Sequence, residues 1–209
     1  MRMNGRNVVR AAVVVIVIAV AVLLALQLLT RGRVDKAMTI DPALEREITE
    51  QDRAILKTRI NAIFPKWAQA WKSGNFRFDP SALQRDSIEE IDSSLITRVD
   101  EVNVPLDDES LRKLVSPDGM KYLEFTGDAE TEPDSELTLV DAARNERQRL
   151  LFYGPSVRFD DAAWVDAGTV VVVGEGTEGG ESEADSVQPL VWIFHLPHRL
   201  VSTYSVSAH

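Results

Sequence analysis

Chemistry in this chain would have to come from carboxylates, imidazoles and hydroxyls, because its 209 residues include no cysteine. That excludes a thiol nucleophile, a disulfide framework, an iron–sulfur cluster and any zinc site built on thiolates. Asp160 and Asp161 form a carboxylate pair, and with His195 they have the residue types of a hydrolytic site. Neighbours on a strand point to opposite faces, however, so the pair reads as a turn or strand end. His195 and His198 lie three apart, a spacing that suits a metal only with further ligands, and no third is indicated; His209 ends the chain. These histidines read as structural or surface groups. Serines are plentiful, yet there is no G-x-S-x-G elbow and no triad order can be singled out.

Gly174-Glu175-Gly176-Thr177-Glu178-Gly179 matches G-x-G-x-x-G in letters only. A dinucleotide loop must open a helix, and Gly180-Glu181-Ser182-Glu183-Ala184-Asp185 has no apolar helical face. Its carboxylates (Glu175, Glu178, Glu181, Glu183, Asp185) would repel a pyrophosphate, and they lack the order of a calcium-binding loop. The segment reads as a solvated hairpin loop, as does the stretch from Asp128 to Glu136. No catalytic, cofactor or metal residue is therefore assigned from sequence, and no nucleotide is expected.

The elements around these residues fall into a sharply divided chain. Ala11 to Leu29 holds 18 apolar residues out of 19, broken only by Gln27. As a helix it would be roughly 28 Å long, close to the hydrocarbon thickness of a bilayer. A cleaved signal peptide has a shorter apolar core, about 7 to 15 residues, and a small-x-small site that Leu26-Gln27-Leu28-Leu29-Thr30-Arg31 does not offer. The expectation is an uncleaved single-pass anchor at 11–29, behind a basic tail at 1–10 and before a basic collar and linker at 30–41. Arg2, Arg6 and Arg10 on one side balance Arg31, Arg33 and Lys36 on the other; the short Arg-rich head favours an N-terminus inside and the bulk of the chain outside the cell membrane.

The chain carries 33 acidic and 23 basic residues, a formal charge of -10. The first 36 residues hold six basic and one acidic, so the remaining 173 hold 17 basic and 32 acidic and carry -15. Such a surface does not suit nucleic acid, whose binding rests on clustered Lys and Arg.

Asp41-Pro42 reads as an N-cap and first helical residue, and Leu44, Ile48, Ile55, Leu56, Ile60 and Ile63 recur at helical spacing. This amphipathic segment, 42–74, has Glu45, Glu47, Asp52, Arg53, Lys57 and Arg59 on its polar face. Pro65 should interrupt it near Phe64, and Lys66 to Lys72 make a second helix closed by Ser73-Gly74-Asn75. Phe64, Trp67 and Trp71 share a face that should pack on the following domain, while the apolar seam could also pair with a second copy of the chain. Residues 75–115 form a mixed connection, with a short helix from Asp79-Pro80, a strand from Ile96 to Val104 and a helical turn from Asp107 to Val115.

From 116 to 209 the pattern is strand grammar. Ser116-Pro117-Asp118-Gly119 is a type I turn launching Met120 to Phe125. Glu136 to Asp141 and Gln148 to Tyr153 make a hairpin across Ala142 to Glu146; Val157 to Phe159, Ala163 to Val165, Thr169 to Val173, Leu190 to Leu196 and Leu200 to Val206 supply the rest. Ser116 to Phe125 followed by Glu136 to Asp141 resembles one blade of the PD40-type repeat of TolB-like β-propellers. Phe159 to Thr169, with Pro189 to Phe194, resembles a second blade, and Asp118 to Asp166 spans 48 residues, near the spacing of blades. Two blades are too few to close a propeller. Either copies assemble or, as we prefer, two blade-like antiparallel sheets pack on each other with the stalk covering an edge. With the apolar run and the helical spacing, the expectation is an α+β chain of a transmembrane helix, an amphipathic stalk and a mainly antiparallel β domain. The resemblance implies interaction surfaces more often than any one reaction. With the anchor and no coherent catalytic constellation in the sequence, a non-enzymatic binding or scaffolding module with a protein partner or self-association is expected. The alternative is an extracytoplasmic hydrolase or sensor at Asp160, Asp161 and His195.

Arginine outnumbers lysine 17 to 6 in this acidic chain. A carboxylate-rich, lysine-poor surface is screened and stays hydrated at high ionic strength, so stability should rise with molar salt. Thermal melts in low and molar KCl check this; a melting temperature that falls with salt would refute it.

Overall fold

The computed structural model describes residues 40–73, 78–98, 112–126, 134–154, 156–177 and 187–206. The expected span at 11–29, its flanking basic segments, His209 and most of the acidic loop lie outside them. Among the described residues no helix is long and apolar enough to cross a membrane. Pro42–His209 form one compact unit. The chain is α+β, with two antiparallel five-stranded sheets.

Helix α1 (Pro42–Ala54) begins at the proline, where the missing N–H costs nothing, and continues through a π-helical turn (Ile55–Arg59) into α2 (Ile60–Ile63). Phe64 leaves helical geometry at φ −122° and ψ 60°, as a residue before proline must, and Pro65 opens α3 (Pro65–Ser73). A 3-10 turn at Pro80–Ala82 then leads to β1 (Gln84–Glu90) and β2 (Ile96–Arg98). The remaining strands are β3 (Arg112–Val115), β4 (Lys121–Thr126), β5 (Ser135–Asp141), β6 (Glu146–Tyr153), β7 (Val157–Trp164), β8 (Thr169–Thr177), β9 (Val187–His195) and β10 (Leu200–Ser205).

Sheet A has the order β1-β10-β9-β8-β7 and sheet B the order β2-β6-β5-β4-β3. Each is thus a four-stranded up-and-down meander with a fifth strand from residues 84–98 added at its last edge. The two meanders repeat one another in detail. Asp118 Oδ1 accepts the N–H of Met120 at 3.0 Å in the β3–β4 turn, and Asp166 Oδ1 accepts that of Gly168 at 2.8 Å in the β7–β8 turn. The next hairpins correspond too: Ala142 N–H donates to Met120 O, as Leu196 N–H does to Gly168 O. Both loops end on a residue in the left-handed region, Asn145 (φ 52°) and Arg199 (φ 55°).

Sheet A is the middle of three layers. On one side Val170, Val172, Trp192 and Phe194 meet Leu123, Leu137, Leu139 and Leu151 of sheet B. On the other, Val171, Val173, Val191 and Ile193 meet Ile55, Leu56, Ile60, Phe64 and Trp67 of the helices. Alternate residues of a strand face opposite ways, so β8 can be a run of valines only because both faces are covered. Each such side chain contributes about 1.5–3 kcal/mol relative to exposure. The outer face of sheet B is polar: Arg147 pairs with buried Glu124, and Arg149 with Glu136 at 3.0 Å.

The segment between β1 and β2 ties the sheets together. Ile91 is buried between them, its N–H donates to Arg199 O at 2.8 Å, and the Arg199 guanidinium returns a bond to Ile91 O at 3.3 Å.

Several expectations are corrected. The helical segment covers the face of sheet A, not an edge; the edges beside β10 and β6 are taken by β1 and β2. Residues 112–115, expected at the end of a helical turn, are a strand, because pairing with β4 from Arg112↔Phe125 to Val115↔Tyr122 overrides local propensity. Strand β1, Gln-Arg-Asp-Ser-Ile-Glu-Glu, was not foreseen, since it lies at an edge and carries little apolar signal. Asp160 ends no strand: β7 runs through it with a bulge between Phe159 and Asp161. Nor do Gly174 and Gly176 belong to a loop, for β8 continues to Thr177.

At the bulge a Cβ on Gly174 would run into the carbonyl oxygen of Arg158, and the Gly174 carbonyl accepts Trp67 Nε1 at 3.3 Å. The glycine thus serves a close approach of backbones. Gly174→Ala should destabilise the fold by about 2 kcal/mol or more; denaturant unfolding of the full chain measures it, and an unchanged midpoint would contradict this packing.

Candidate functional site

Asp52 lies four residues after Ile48 and four before Leu56, on the apolar stripe of α1. It is 0 % exposed, which corrects its expected place on the polar face. Burial of a carboxylate is tolerable only with donors at hand, and two strands supply them. His195, the last residue of β9, brings Nε2 to 2.7 Å from Oδ1; Tyr204 of β10 donates its hydroxyl to Oδ2 at 2.8 Å. His195 follows Val191 and Ile193 at alternate positions of β9, so the helix-facing side of sheet A presents it to α1.

One proton serves the Nε2–Oδ1 contact, and the ring nitrogen is its donor wherever the carboxylate offers only acceptors. His195 and Tyr204 are 2 % and 3 % exposed. The Tyr204 phenol is pushed well above its ordinary value, first by burial and then by the neighbouring Asp52 carboxylate, while Arg85 and Arg53 oppose the rise. Ser202 is also buried, on the same face as Tyr204 by strand alternation, and its Oγ makes no hydrogen bond among the described residues. Aspartate, histidine and serine are thus in one layer, but nothing links Ser202 to His195. A relay toward a nucleophile would leave the imidazole nitrogen opposite the aspartate bonded to the hydroxyl. The arrangement is a closed polar clamp between helix and sheet.

The carboxylates singled out in the sequence lie elsewhere. Asp160 Oδ1 accepts Arg158 Nη2 at 3.0 Å, and the same guanidinium reaches Glu175 at 3.1 Å. Burial raises the pKa of Asp160, with Arg158 opposing and Asp161 adding to the rise. Asp161 Oδ1 accepts the N–H of Ala162 at 2.7 Å. By register Asp161 is level with Val191, two strands from β9 and four residues short of His195, roughly 13 Å along the strand and about 10 Å across. His195 is therefore not brought together with the pair. His198 sits exposed in the β9–β10 turn. Among the described residues no group of three or more His, Asp or Glu side chains is placed to hold a metal.

Sequence reasoning missed Asp52 and Tyr204. Their partners are 143 and 152 positions apart, and the one available signal was the phase of Asp52 on the Ile48–Leu56 stripe. No protein family, no curated protein and no solved structure matches the chain.

Tyr204→Phe removes a donor from the buried carboxylate and should cost about 1–3 kcal/mol at neutral pH. Because folding raises the phenol's pKa above its unfolded value of about 10, this contribution is complete below that pH and is lost as pH rises through and beyond it. Denaturation of wild type and variant at neutral pH and at about pH 11 checks this; the gap between them should narrow at the higher pH. A gap of constant size would refute the role given to the hydroxyl.

Proposed function

We propose that the chain is a single-pass, membrane-anchored binding or scaffolding module of the cell envelope, without catalysis of its own. Its N-terminus is inside and its α+β domain outside. The observation that carries this reading is the run from Ala11 to Leu29, apolar at 18 of 19 positions and flanked by three basic residues on each side. A stretch of that length and composition is suited to hydrocarbon and costly to expose to water.

The clamp supports binding over chemistry. Asp52 and His195 have the types of an acid–base pair, yet their facing atoms are spent on one another in a layer closed to water. A general base must reach its substrate. A hydrolase or sensor at Asp160, Asp161 and His195 gains nothing from the geometry, since the carboxylates are engaged with Arg158 and the backbone. The partner in this reading is another protein or a second copy of the chain.

Alkaline carbonate extraction tests the anchor. The full chain should stay with the membrane pellet, and deletion of 11–29 should move it to the supernatant; release of the intact chain would overturn the anchor. Crosslinking in intact membranes should give one discrete adduct heavier than the monomer, and a monomer alone would overturn the scaffolding role.

A further inference from the structure

A groove of about 650 Å³ runs between the α1–π-turn segment on one side and the 80–82 turn and β1 on the other. The chain has ten more acidic than basic residues, yet among the described residues no acidic side chain lines this groove and three basic ones do: Arg53, Lys57 and Arg85. Its apolar lining comes from Leu56, Leu83 and the Tyr204 ring. Concave sites of about 300–1,000 Å³ with a few convergent polar groups are the size of small-molecule pockets.

Two irregularities of the backbone gather these cations. Thr49, Arg53 and Lys57 recur every fourth residue along one helix edge. In a straight α-helix each residue advances about 100°, so such a row drifts around the axis. The π turn at Ile55–Arg59, closed by Ile60 N–H to Ile55 O, is wider and advances less per residue, which holds Lys57 in line with Arg53. Across the groove, β1 shifts register between Arg85 and Ser87, and a bulge there re-aims the side chains beside it. Arg85 points back to α1, where it donates to Thr49 Oγ1 at 2.7 Å and to Glu45 Oε1 at 2.5 Å.

Among the described residues, carboxylates satisfy only one of the three cations. Arg53 and Lys57 are exposed and make no ion pair or hydrogen bond among the described residues. Arg53 nevertheless stands close enough to Tyr204 to favour the ionised form of its hydroxyl. Two unengaged cations beside an apolar floor, in a protein rich in carboxylates, are set for a negative charge that comes from outside.

We infer that this groove binds a small organic anion: a phosphate or carboxylate head on an apolar body. The head meets Arg53, Lys57 and Arg85, and the body lies on Leu56, Leu83 and the Tyr204 ring. Guanidinium groups suit such heads because their N–H fork matches two oxygens at once. Neutral ligands of the same shape gain only the floor, and inorganic phosphate only the rim. The assignment deepens the reading of the chain as a binding module by naming a ligand class for one site, and it rests on that reading.

Phenyl phosphate is the probe, observed by phosphorus-31 line broadening with the full chain in neutral detergent. Saturable broadening is expected, with displacement by benzoate but not by benzyl alcohol. The double variant Arg53→Ala, Lys57→Ala should weaken binding at least about tenfold while leaving the melting temperature unchanged, because both side chains are exposed. Lys57→Arg should retain binding. Absence of saturable broadening, equal binding by the double variant, or displacement by benzyl alcohol as effective as by benzoate would each overturn the site. Such a failure leaves carbonate extraction and crosslinking unchanged, so it is distinguishable from failure of the anchored module itself.

Discussion

The structure depends on sheet A being buried on both faces. Val170 to Val173 in β8 and Val191 to Phe194 in β9 send apolar side chains in both directions, and none of the eight is more than 1 % exposed. Such strands need two covers. Sheet B is one, and the amphipathic helices are the other, with Phe64 and Trp67 filling the layer beside Phe78. The helical segment that reads as a stalk in the sequence is therefore a wall of the core.

A carboxylate in that wall has a structural consequence. Asp52 is fully buried and, among the described residues, finds its hydrogen-bond partners in His195 and Tyr204. If α1 slid by one turn, about 5.4 Å, three buried polar groups would lose their partners together. Dispersion and hydrophobic contacts tolerate small shifts, whereas hydrogen bonds of 2.7 and 2.8 Å do not. The clamp gives the helix one position on the sheet. That position in turn brings Arg53 and Lys57 opposite Arg85, so the packing of the core and the charge of the groove are linked through one helix.

Much of the β architecture was legible. The 48-residue interval from Asp118 to Asp166 marks equivalent turns of two meanders, and each carboxylate accepts the N–H two residues on. Local turn chemistry and alternation are written in neighbouring residues, so they survive reading one residue at a time. Strand β1 was not legible, because an edge strand of polar residues is defined by the partner that fills its hydrogen bonds. Asp160 reads as a turn or strand end for the same reason: the meaning of its bulge lies in the register with β8 and in the Gly174 backbone pressed against Arg158.

By itself the sequence determined the division between an apolar, basic N-terminal segment and an acidic domain, the helical stripe from Leu44 to Ile63, and most of the strands. These follow from hydropathy, periodicity and turn residues, which act over a few positions. Only the tertiary structure decided which face the helix covers, that Asp52 is buried rather than solvated, and that Arg85 comes to face Arg53 and Lys57. Those outcomes depend on contacts across some 30 to 150 positions of chain. Long-range packing selects them, and no local pattern carries that information.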